Sequence, residues 1–311
     1  MKLYPFKFEA LYKPTIWGGE SWEIADVGDR QSKVGNGEMQ GKTLHELMDL
    51  CKETLVGQPS YNKFGGTFPL LVKYIDAHDK LSIQVHPNDE TARKRHNSLG
   101  KTEMWYVVDA EQGAELIMGF KEPTSKEEYL EQLAQGTLDG MLQSVPVKKG
   151  DVFFIPAGTV HAIGKGIRIA EIQENSDITY RIFDYNRKDK DGNGRELHTQ
   201  QALDVIDFNA CHLAKQPYVK QTEGVASVVR CDYFTTNVID INGRALLRDY
   251  SAYNSFVVYM GLEGEYTIAC DGLEPMHVAE GETVLLPAAI SSAKIEAKGA
   301  CKLLEVYCQS E

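Results

Sequence analysis

The sequence predicts a mainly β fold made of two small β-barrels, with a few helices inserted in and around the first barrel. Short β-rich runs with turns between them recur along most of the chain, which is typical of β-sandwiches and barrels. Residues 150–161 and 281–291 share a strand-and-turn pattern, which indicates a weak internal repeat. At 311 residues the chain is long enough for two hydrophobic cores, and we expect domains at residues 1–215 and 216–311.

The first predicted domain combines strands with short helices. Thr43 and Ser125 can each cap the first turn of a helix, and Glu46 and Glu128 stand three residues further on, as in a capping box. Helices are therefore predicted over residues 43–55 and 125–135, with a shorter one over residues 89–96. The β-rich runs predict strands over residues 68–75, 81–86, 104–109, 114–120, 151–155 and 167–173.

The second predicted domain consists of short strands alone. Strands are predicted over residues 225–230, 235–241, 255–260, 265–270, 283–287 and 302–308. Residues 281–291 repeat the glycine, the apolar run and the proline of residues 150–161, but they lack the second glycine and the histidine. We therefore expect a degenerate second barrel without a metal ion.

Composition excludes several classes of function. A net charge of −12 argues against a nucleic-acid-binding protein, which would normally carry a basic stripe. No apolar run approaches the ~20 residues of a membrane span, and the first residues lack the apolar stretch of a signal peptide. The six cysteines are scattered without a C-x-x-C pair, which indicates thiols in a reducing compartment, and we expect a cytoplasmic protein.

The most informative segment is residues 150–161. Glycine opens a strand, an apolar run follows, and Pro156-x-Gly158 makes a turn. Three residues later His161 is expected to point back into the barrel. The spacing G-x5-P-x-G-x2-H resembles the second half-motif of the cupin superfamily, whose small β-barrels commonly hold a metal ion. We therefore expect His161 to be a metal ligand.

Further candidate ligands lie upstream, on predicted neighbouring strands. Gln84 and His86 are two residues apart, and residues i and i+2 of a strand face the same side. Glu103 adds a carboxylate at the start of another strand. With His161 these residues predict a metal site of nitrogen and oxygen ligands, which suits zinc and leaves room for water or substrate. The role of Gln84 stays open, because an amide is a poor zinc ligand and could lie beside the metal instead.

Most of the chain resembles the short bacterial form of type I mannose-6-phosphate isomerase (phosphomannose isomerase), a zinc-dependent bicupin. The segments that carry the resemblance are residues 16–23, 68–73, 81–89, 100–106, 150–161 and 171–181, in that order. The resemblance implies one zinc ion per chain, held by Gln84, His86, Glu103 and His161. It implies reactive-site roles for Lys101, Glu171 and Arg181, and contacts with the substrate's phosphate for Lys73 and Ser82.

Each of these residues also has a structural alternative. Arg181 could form an ion pair with Asp177 or Asp184, although its planar guanidinium also suits a phosphate or an enediolate. Lys101 could be a solvated lysine or an acid–base group with a lowered pKa. Glu171 could pair with Arg181 or shuttle a proton, and the sequence does not decide which group is the general base. Lys73 and Ser82 could serve packing alone.

The implied activity is interconversion of mannose 6-phosphate and fructose 6-phosphate through an enediolate, assisted by the metal. Two alternatives remain from the residues themselves. One is an iron-dependent cupin oxygenase, whose two-histidine, one-carboxylate triad would be His86, His161 and Glu103. The other is a non-catalytic cupin that binds a sugar phosphate. The expected partner is a small sugar phosphate, without nucleic acid or membrane, and the oligomeric state is open.

Overall fold

The computed structural model describes residues 2–188, 191–210, 215–221 and 223–308, and they form a mainly β protein. The strands before residue 120 are β1 Phe6–Glu9, β2 Leu11–Thr15, β3 Gly18–Ile24, β4 Asp26–Val27, β5 Arg30–Gln31, β6 Lys33–Val34, β7 Leu70–Ala77, β8 Ile83–Val85, β9 Glu103–Ala110 and β10 Glu115–Phe120. Five strands follow before residue 190: β11 Leu142–Pro146, β12 Val152–Ile155, β13 His161–Ile163, β14 Ile167–Glu174 and β15 Tyr180–Phe183. The C-terminal strands are β16 Gly224–Arg230, β17 Thr235–Asn242, β18 Ala245–Asp249, β19 Val257–Glu263, β20 Tyr266–Ala269, β21 Met276–Val278, β22 Thr283–Leu286, β23 Ser292–Glu296 and β24 Ala300–Tyr307.

The helices are short and lie mostly between strands of the first half. They are α1 Leu44–Cys51, α2 Glu53–Val56, α3 Gln58–Phe64, α4 Asp89–His96, α5 Lys126–Gln135 and α6 Thr199–Leu203, with one 3-10 turn at Leu138–Gly140. Thr43 and Ser125 cap α1 and α5 as predicted, and the Thr43–Glu46 capping box is complete. None of the helices in the described ranges is long and apolar enough to cross a membrane.

The chain forms two compact units. Unit 1 consists of Met1–Leu11, Trp22–Leu71 and Pro217–Glu311, and unit 2 consists of Tyr12–Ser21 and Val72–Gln216. The predicted division uses two consecutive segments, 1–215 and 216–311. It therefore differs from the compact units in where it places two N-terminal segments, which group with the C-terminal strands.

Unit 2 contains the predicted site and is built around two sheets. One sheet has five strands in the order β11-β10-β13-β8-β15, and the other has six in the order β12-β9-β14-β7-β3-β2. Trp105 and Phe153 from the six-stranded sheet share a core with Met118 and Ile163 from the five-stranded sheet. The two sheets therefore face each other, and residues on their facing sides lie inside the unit.

Unit 1 contains a seven-stranded sheet in the order β16-β17-β24-β19-β22-β1-β6 and a four-stranded sheet in the order β18-β23-β20-β21. Tyr259 and Leu303 of the larger sheet share a core with Tyr266 and Ile295 of the smaller one. A short β4–β5 hairpin lies in the same unit.

The strand orders reveal an internal repeat of nine strands. β3 and β7–β14, which we call the first repeat, correspond one by one and in chain order to β16–β24, the second repeat. The larger sheets contain β12-β9-β14-β7-β3 and β22-β19-β24-β17-β16, and the smaller sheets contain β11-β10-β13-β8 and β21-β20-β23-β18. The glycines that open the repeated motif match as well, because Gly150 and Gly281 have φ values of 82° and 81°, a region that favours glycine.

One helix departs from the sequence-based predictions. The predicted helix over residues 43–55 breaks at Lys52, which has a φ of 49°. The chain resumes at once as α2, in which the carbonyl groups of Thr54 and Leu55 accept hydrogen bonds from the backbone N–H groups of Ala289 and Ala288. The cysteines at 51, 270, 301 and 308 are buried thiols as predicted, Cys231 is a half-buried thiol, and Cys211 lies outside the described residues.

Candidate metal centre

The five-stranded sheet places three predicted site residues in one row. His161 on β13 lies directly opposite Gln84 on β8, and Gln84 lies opposite Arg181 on β15. Directly opposed residues of neighbouring strands point to the same face of a sheet. Met118 continues the row on β10 and belongs to the core between the sheets, so the row faces the inside of unit 2. His86 follows at the end of β8.

The six-stranded sheet supplies the acidic residues and two lysines. Glu103 begins β9, Glu171 lies on β14, and Lys73 lies on β7. Lys101 precedes β9 by two residues and is also buried. The structure therefore brings together the predicted residues from two facing sheets.

Three side chains form a compact cluster of potential metal ligands. One ligand atom each from His86, Glu103 and His161 lies within 4.8 Å of the others, and all three side chains are buried. Glu103 Oε1 lies 3.2 Å from Nε2 of His161, and Glu103 Oε2 lies 3.5 Å from Nε2 of His86. The carboxylate thus lies between the two imidazoles.

Both imidazoles are oriented by backbone carbonyl groups. Nδ1 of His86 lies 2.9 Å from the carbonyl oxygen of Ile178, and Nδ1 of His161 lies 2.9 Å from that of Thr159. A carbonyl oxygen only accepts, so each Nδ1 carries the proton and each Nε2 presents a lone pair toward Glu103. Burial lowers the pKa of His161 to about 4 and that of His86 well below its ordinary value. Both rings are therefore neutral at pH 7, which is the form that binds a metal ion.

Gln84 and Lys101 complete the immediate surroundings of the cluster. Nε2 of Gln84 lies 3.2 Å from Nε2 of His161. Rotation about its last side-chain bond exchanges the amide nitrogen and oxygen, so Gln84 can also present an oxygen to a cation. Nζ of Lys101 donates to Glu103 at 2.9 Å and lies 3.0 Å from Nε2 of His86.

The residues present fit a metal ion of intermediate softness. Oε1 of Glu103 is buried and receives no hydrogen bond, although it faces an imidazole lone pair. Two acceptors that face each other in a buried site repel unless a cation lies between them. Two imidazoles, one carboxylate and an adjacent amide are the donor types that zinc and related divalent ions accept.

Burial and the neighbouring charges give the two site carboxylates different pKa values. Burial raises the pKa of Glu103 to about 7, and Lys101 opposes that rise. Burial also acts on Glu171, but Lys73 and then Lys101 outweigh it and lower its pKa to about 2. Glu171 is therefore an anion at neutral pH, whereas Glu103 titrates near neutral pH, where Lys101 favours its anionic form.

Glu171 is held at both oxygens. Nε1 of Trp105 donates to Oε1 at 2.8 Å, and Nζ of Lys73 lies 2.7 Å from Oε2. Lys73 also lies 3.5 Å from Oε2 of Glu20, and these carboxylates raise its pKa although burial opposes them. The alternative pairing of Glu171 with Arg181 is therefore wrong, because Lys73 takes that place.

Arg181 forms no salt bridge with a carboxylate among the described residues, although Asp184 and Glu196 lie close enough to attract its charge. The alternative of an ion pair with Asp184 is wrong, because Asp184 is paired with Arg187 and Arg195. Arg181 donates from Nη1 to the carbonyl oxygen of Glu196 at 2.8 Å, and its buried Nε has no hydrogen-bond partner. Burial and then Arg195 lower its pKa, yet a guanidinium remains charged at neutral pH.

Three residues around the site were missed from the sequence. In the sequence, Glu20, Trp105 and Glu174 lie in segments that carry the family resemblance, but none of them has a motif position or role of its own there. Oε1 of Glu174 accepts from the backbone N–H of Thr102 at 2.7 Å and so helps to fix the segment that carries Lys101 and Glu103. Pairing of β9 with β14 is what brings Trp105 opposite Glu171, and no local sequence pattern records that register. Ser82 is buried just before β8.

The fold and the site define a mainly β protein with a buried His–Glu–His group that can hold a metal ion. A family model described as "Phosphomannose isomerase type I, catalytic domain" matches residues 8–122. The mannose-6-phosphate isomerase ManA of Bacillus subtilis strain 168 is 37% identical over 321 residues, which cover 97% of this chain and 98% of that protein. The mannose-6-phosphate isomerase of Streptococcus mutans is 39% identical over 280 residues, covering 90% of this chain and 85% of that protein.

A solved structure gives the same result. The crystal structure of the mannose 6-phosphate isomerase from Bacillus subtilis superposes with a TM-score of 0.86 at 30% identity, covering 97% of this chain and 99% of that one. The chain therefore belongs to the type I phosphomannose isomerase family, and it is an isomerase. The predicted family membership is confirmed.

Proposed function

We propose that this protein interconverts mannose 6-phosphate and fructose 6-phosphate at the buried site of unit 2, with one zinc ion per chain. The observation that carries the proposal is the cluster of His86, Glu103 and His161, with Arg181 on a neighbouring strand. Gln84 is the fourth ligand in this proposal. Membership of the isomerase family favours this function over an iron oxygenase or a non-catalytic sugar-phosphate-binding protein.

A bound zinc ion would act as a Lewis acid on the sugar oxygens and stabilise negative charge on an enediolate by several kcal/mol. His86 and His161 would hold it as neutral ligands, and their Nδ1–H groups keep the required tautomer. Glu103 would contribute the negative charge. The second ring nitrogen of each histidine is thus already committed to orientation.

In this proposal, a group beside the ligand cluster transfers the proton between C1 and C2 of the sugar phosphate. Lys101 lies within 3.0 Å of both His86 and Glu103, so its ammonium can hold or exchange a proton beside the ligands. Glu171 is the second candidate, but both its oxygens are occupied and its pKa is about 2, which makes it a weak base in this arrangement. The structure therefore favours Lys101 as the acid–base group, with Glu171 orienting charge.

The charge distribution supports Arg181 as the residue that binds an anionic substrate. Lys73 is matched by Glu171 and Glu20, and Lys101 is matched by Glu103. Arg181 forms no salt bridge with a carboxylate among the described residues, and its fork of N–H groups suits phosphate or enediolate oxygens. Because the protein carries a net charge of −12, attraction for a dianionic substrate must come from such local groups.

Lys73 and Ser82 remain proposed contacts for the substrate's phosphate. Lys73 would have to exchange at least one of its carboxylate partners for the phosphate. Its Nζ is nearer to Glu171, at 2.7 Å, than to Glu20, at 3.5 Å, so the Glu20 contact is the one that a substrate would replace first. We also propose that the enzyme works in the cytoplasm, because its scattered cysteines without a C-x-x-C pair suit a reducing compartment.

We further propose that the protein is a bicupin whose second barrel binds no metal. The nine-strand repeat supports two equivalent barrels, corresponding to the predicted domains. In the second repeat, the core-facing position on β23 is Ala293, opposite Arg248 on β18, where the first repeat has His161 opposite Gln84. Arg248 is paired with the buried Glu305, so the guanidinium of the chain itself neutralises the buried carboxylate of the second repeat.

The test of the function is isomerisation of mannose 6-phosphate together with metal analysis of the purified protein. We expect turnover to fructose 6-phosphate, about one zinc per chain, loss of activity with a chelator, and recovery on adding zinc. His277, an exposed histidine outside the cluster, gives the control variant His277→Ala, which should keep both metal and activity. A protein that binds zinc but leaves the sugar phosphate unchanged would refute the isomerase and support the sugar-phosphate sensor.

A further inference from the structure

We propose that Trp105 is a positioning residue, whose indole N–H holds the Glu171 carboxylate in the orientation that the isomerisation uses. The inference rests on the proposed function, in which the Glu171 carboxylate orients charge in the reactive site while Lys101 is the acid–base group. Trp105 lies on β9 directly opposite Glu171 on β14. Its indole is buried at 1% exposure, and its edge contacts the ring of His161, with ring centroids 5.4 Å apart.

The contacts of Glu171 define its orientation at two points. Trp105 donates to Oε1, and the ammonium of Lys73 lies beside Oε2. The indole N–H is a rigid donor on a ring that the core fixes, whereas the ammonium can rotate at the end of a flexible side chain. If substrate draws Lys73 toward its phosphate, the Trp105 N–H is the contact that keeps the carboxylate in place.

Packing alone explains the burial of Trp105 but not the direction of its N–H group. Trp105 belongs to the core between the two sheets, where Phe153 lies opposite it on β12. Any aromatic ring of suitable size would fill that space. The N–H group is polar, however, and burying it is tolerated because it meets a carboxylate oxygen at 2.8 Å.

The second repeat contains the same donor–carboxylate pair built from different residues. Tyr259 on β19 lies opposite Glu305 on β24 and opposite Val284 on β22, which are the strands that correspond to β9, β14 and β12. Its hydroxyl donates to Oε2 of Glu305 at 2.8 Å. A phenol and an indole differ in size and shape, so what the two positions share is a donor aimed at the opposite carboxylate.

This correspondence supplies both a rescue variant and a control. Trp105→Phe keeps an aromatic ring and removes the donor, and Trp105→Tyr restores a donor of the kind that the second repeat uses. Tyr259→Phe removes the equivalent donor in the second repeat, where no metal-ligand cluster surrounds it among the described residues. Comparing these variants separates a role in the reaction from a general role in the fold.

The experiment measures kcat, KM, zinc content and Tm for the three variants. We expect Trp105→Phe to lower kcat by at least about tenfold with KM changed by less than about twofold and zinc retained, because orientation in the transition state is lost. Trp105→Tyr should recover most of kcat. Tyr259→Phe should lower Tm and leave kcat unchanged. Wild-type kcat in Trp105→Phe, or equal losses in the Phe and Tyr variants, would overturn the proposal.

A spectroscopic measurement tests the contact even if Trp105→Phe fails to fold. The chain has three tryptophans, so the wild-type protein should give three indole N–H signals in a ¹H–¹⁵N spectrum. Glu171→Gln removes the acceptor's charge and should shift the signal of Trp105 but not those of Trp17 and Trp22. An unmoved Trp105 signal would contradict the contact. Absence of turnover in the wild-type protein would instead refute the isomerase itself.

Discussion

Replacing Arg181 by lysine tests whether this residue binds the substrate. The change keeps the positive charge and removes the planar fork of N–H groups. In the protein, the fork uses Nη1 for the carbonyl oxygen of Glu196 and leaves a buried Nε without a partner. The remaining N–H groups are the ones available to an oxyanion.

The expected cost follows from the bonds that lysine cannot replace. A hydrogen bond to a charged group contributes about 1.5–3 kcal/mol, and an ammonium at this position can replace one of the two bonds that a fork makes to paired oxygens. Losing the other lowers kcat/KM by roughly 10- to 150-fold. Folding should change little, because the lost bond to Glu196 is offset by removal of the unsatisfied Nε of Arg181.

The assay is steady-state isomerisation of mannose 6-phosphate, with zinc content and Tm of the same preparation. A fall in kcat means that Arg181 acts on the enediolate, and a rise in KM alone means that it holds the phosphate. Zinc content should be unchanged, because Arg181 is not a ligand. Near-normal kcat/KM for Arg181→Lys would refute the reasoning and leave Arg181 with a structural role only.

Three further changes test the metal, the second repeat and the pH dependence. His161→Ala should lower metal affinity and activity together, by more than the ~10–100-fold that follows from loss of a residue that only hydrogen-bonds a metal ligand. Full metal content in this variant would exclude His161 as a ligand. Arg248→Met removes the cation that pairs with the buried carboxylate of Glu305, and it should lower the free energy of unfolding by about 3 kcal/mol while kcat is retained. An unchanged urea midpoint would contradict this expectation. The double variant Arg248→Met with Glu305→Gln should regain part of the lost stability. Burial raises the pKa of Glu174 to about 8; a hydrogen bond from Thr102 opposes this rise and Asp89 adds to it. The carboxyl group of Glu174 therefore binds a proton more tightly in the folded protein than in the unfolded protein. The stability that this proton provides is lost as pH rises from about 4.5 toward 8. The Tm of Glu174→Gln minus the Tm of the wild-type protein should therefore be higher at pH 8 than at pH 5. A difference in Tm that is the same at both pH values would contradict the shifted pKa of Glu174.

The ligand cluster could be predicted because its spacing reflects local geometry. Gln84 and His86 share a strand face at an i, i+2 spacing, and the Pro156–Gly158 turn returns the chain to β13 at His161. These relations involve neighbours in sequence. The strands β13 and β15 themselves were not predicted, because elements of three or four residues contain too little alternation to recognise.

The charge pairing could not be predicted, because it depends on contacts between distant strands. An ion pair of Glu171 with Arg181 was one of two alternatives from the sequence, yet β14 and β7 bring Lys73 to Glu171 instead. The grouping of the N-terminal segments with the C-terminal strands was missed for a related reason. Pairing of β1 with β22 joins residues almost 280 positions apart, as in the Phe6–Leu285 pair, and no local pattern records such a pairing.

If the proposed site is correct, the row of His161, Gln84 and Arg181 makes the hydrogen-bond register of the five-stranded sheet a condition for activity. A slip of β8 by one residue against β13 and β15 would turn Gln84 and His86 to the opposite face at once. Such a chain would lose its proposed metal ligands and its proposed substrate contact together. We therefore expect no partly active enzyme from a change of register in this sheet. In a refolded sample, zinc bound per chain would therefore count the correctly registered molecules, and specific activity should rise in proportion to it.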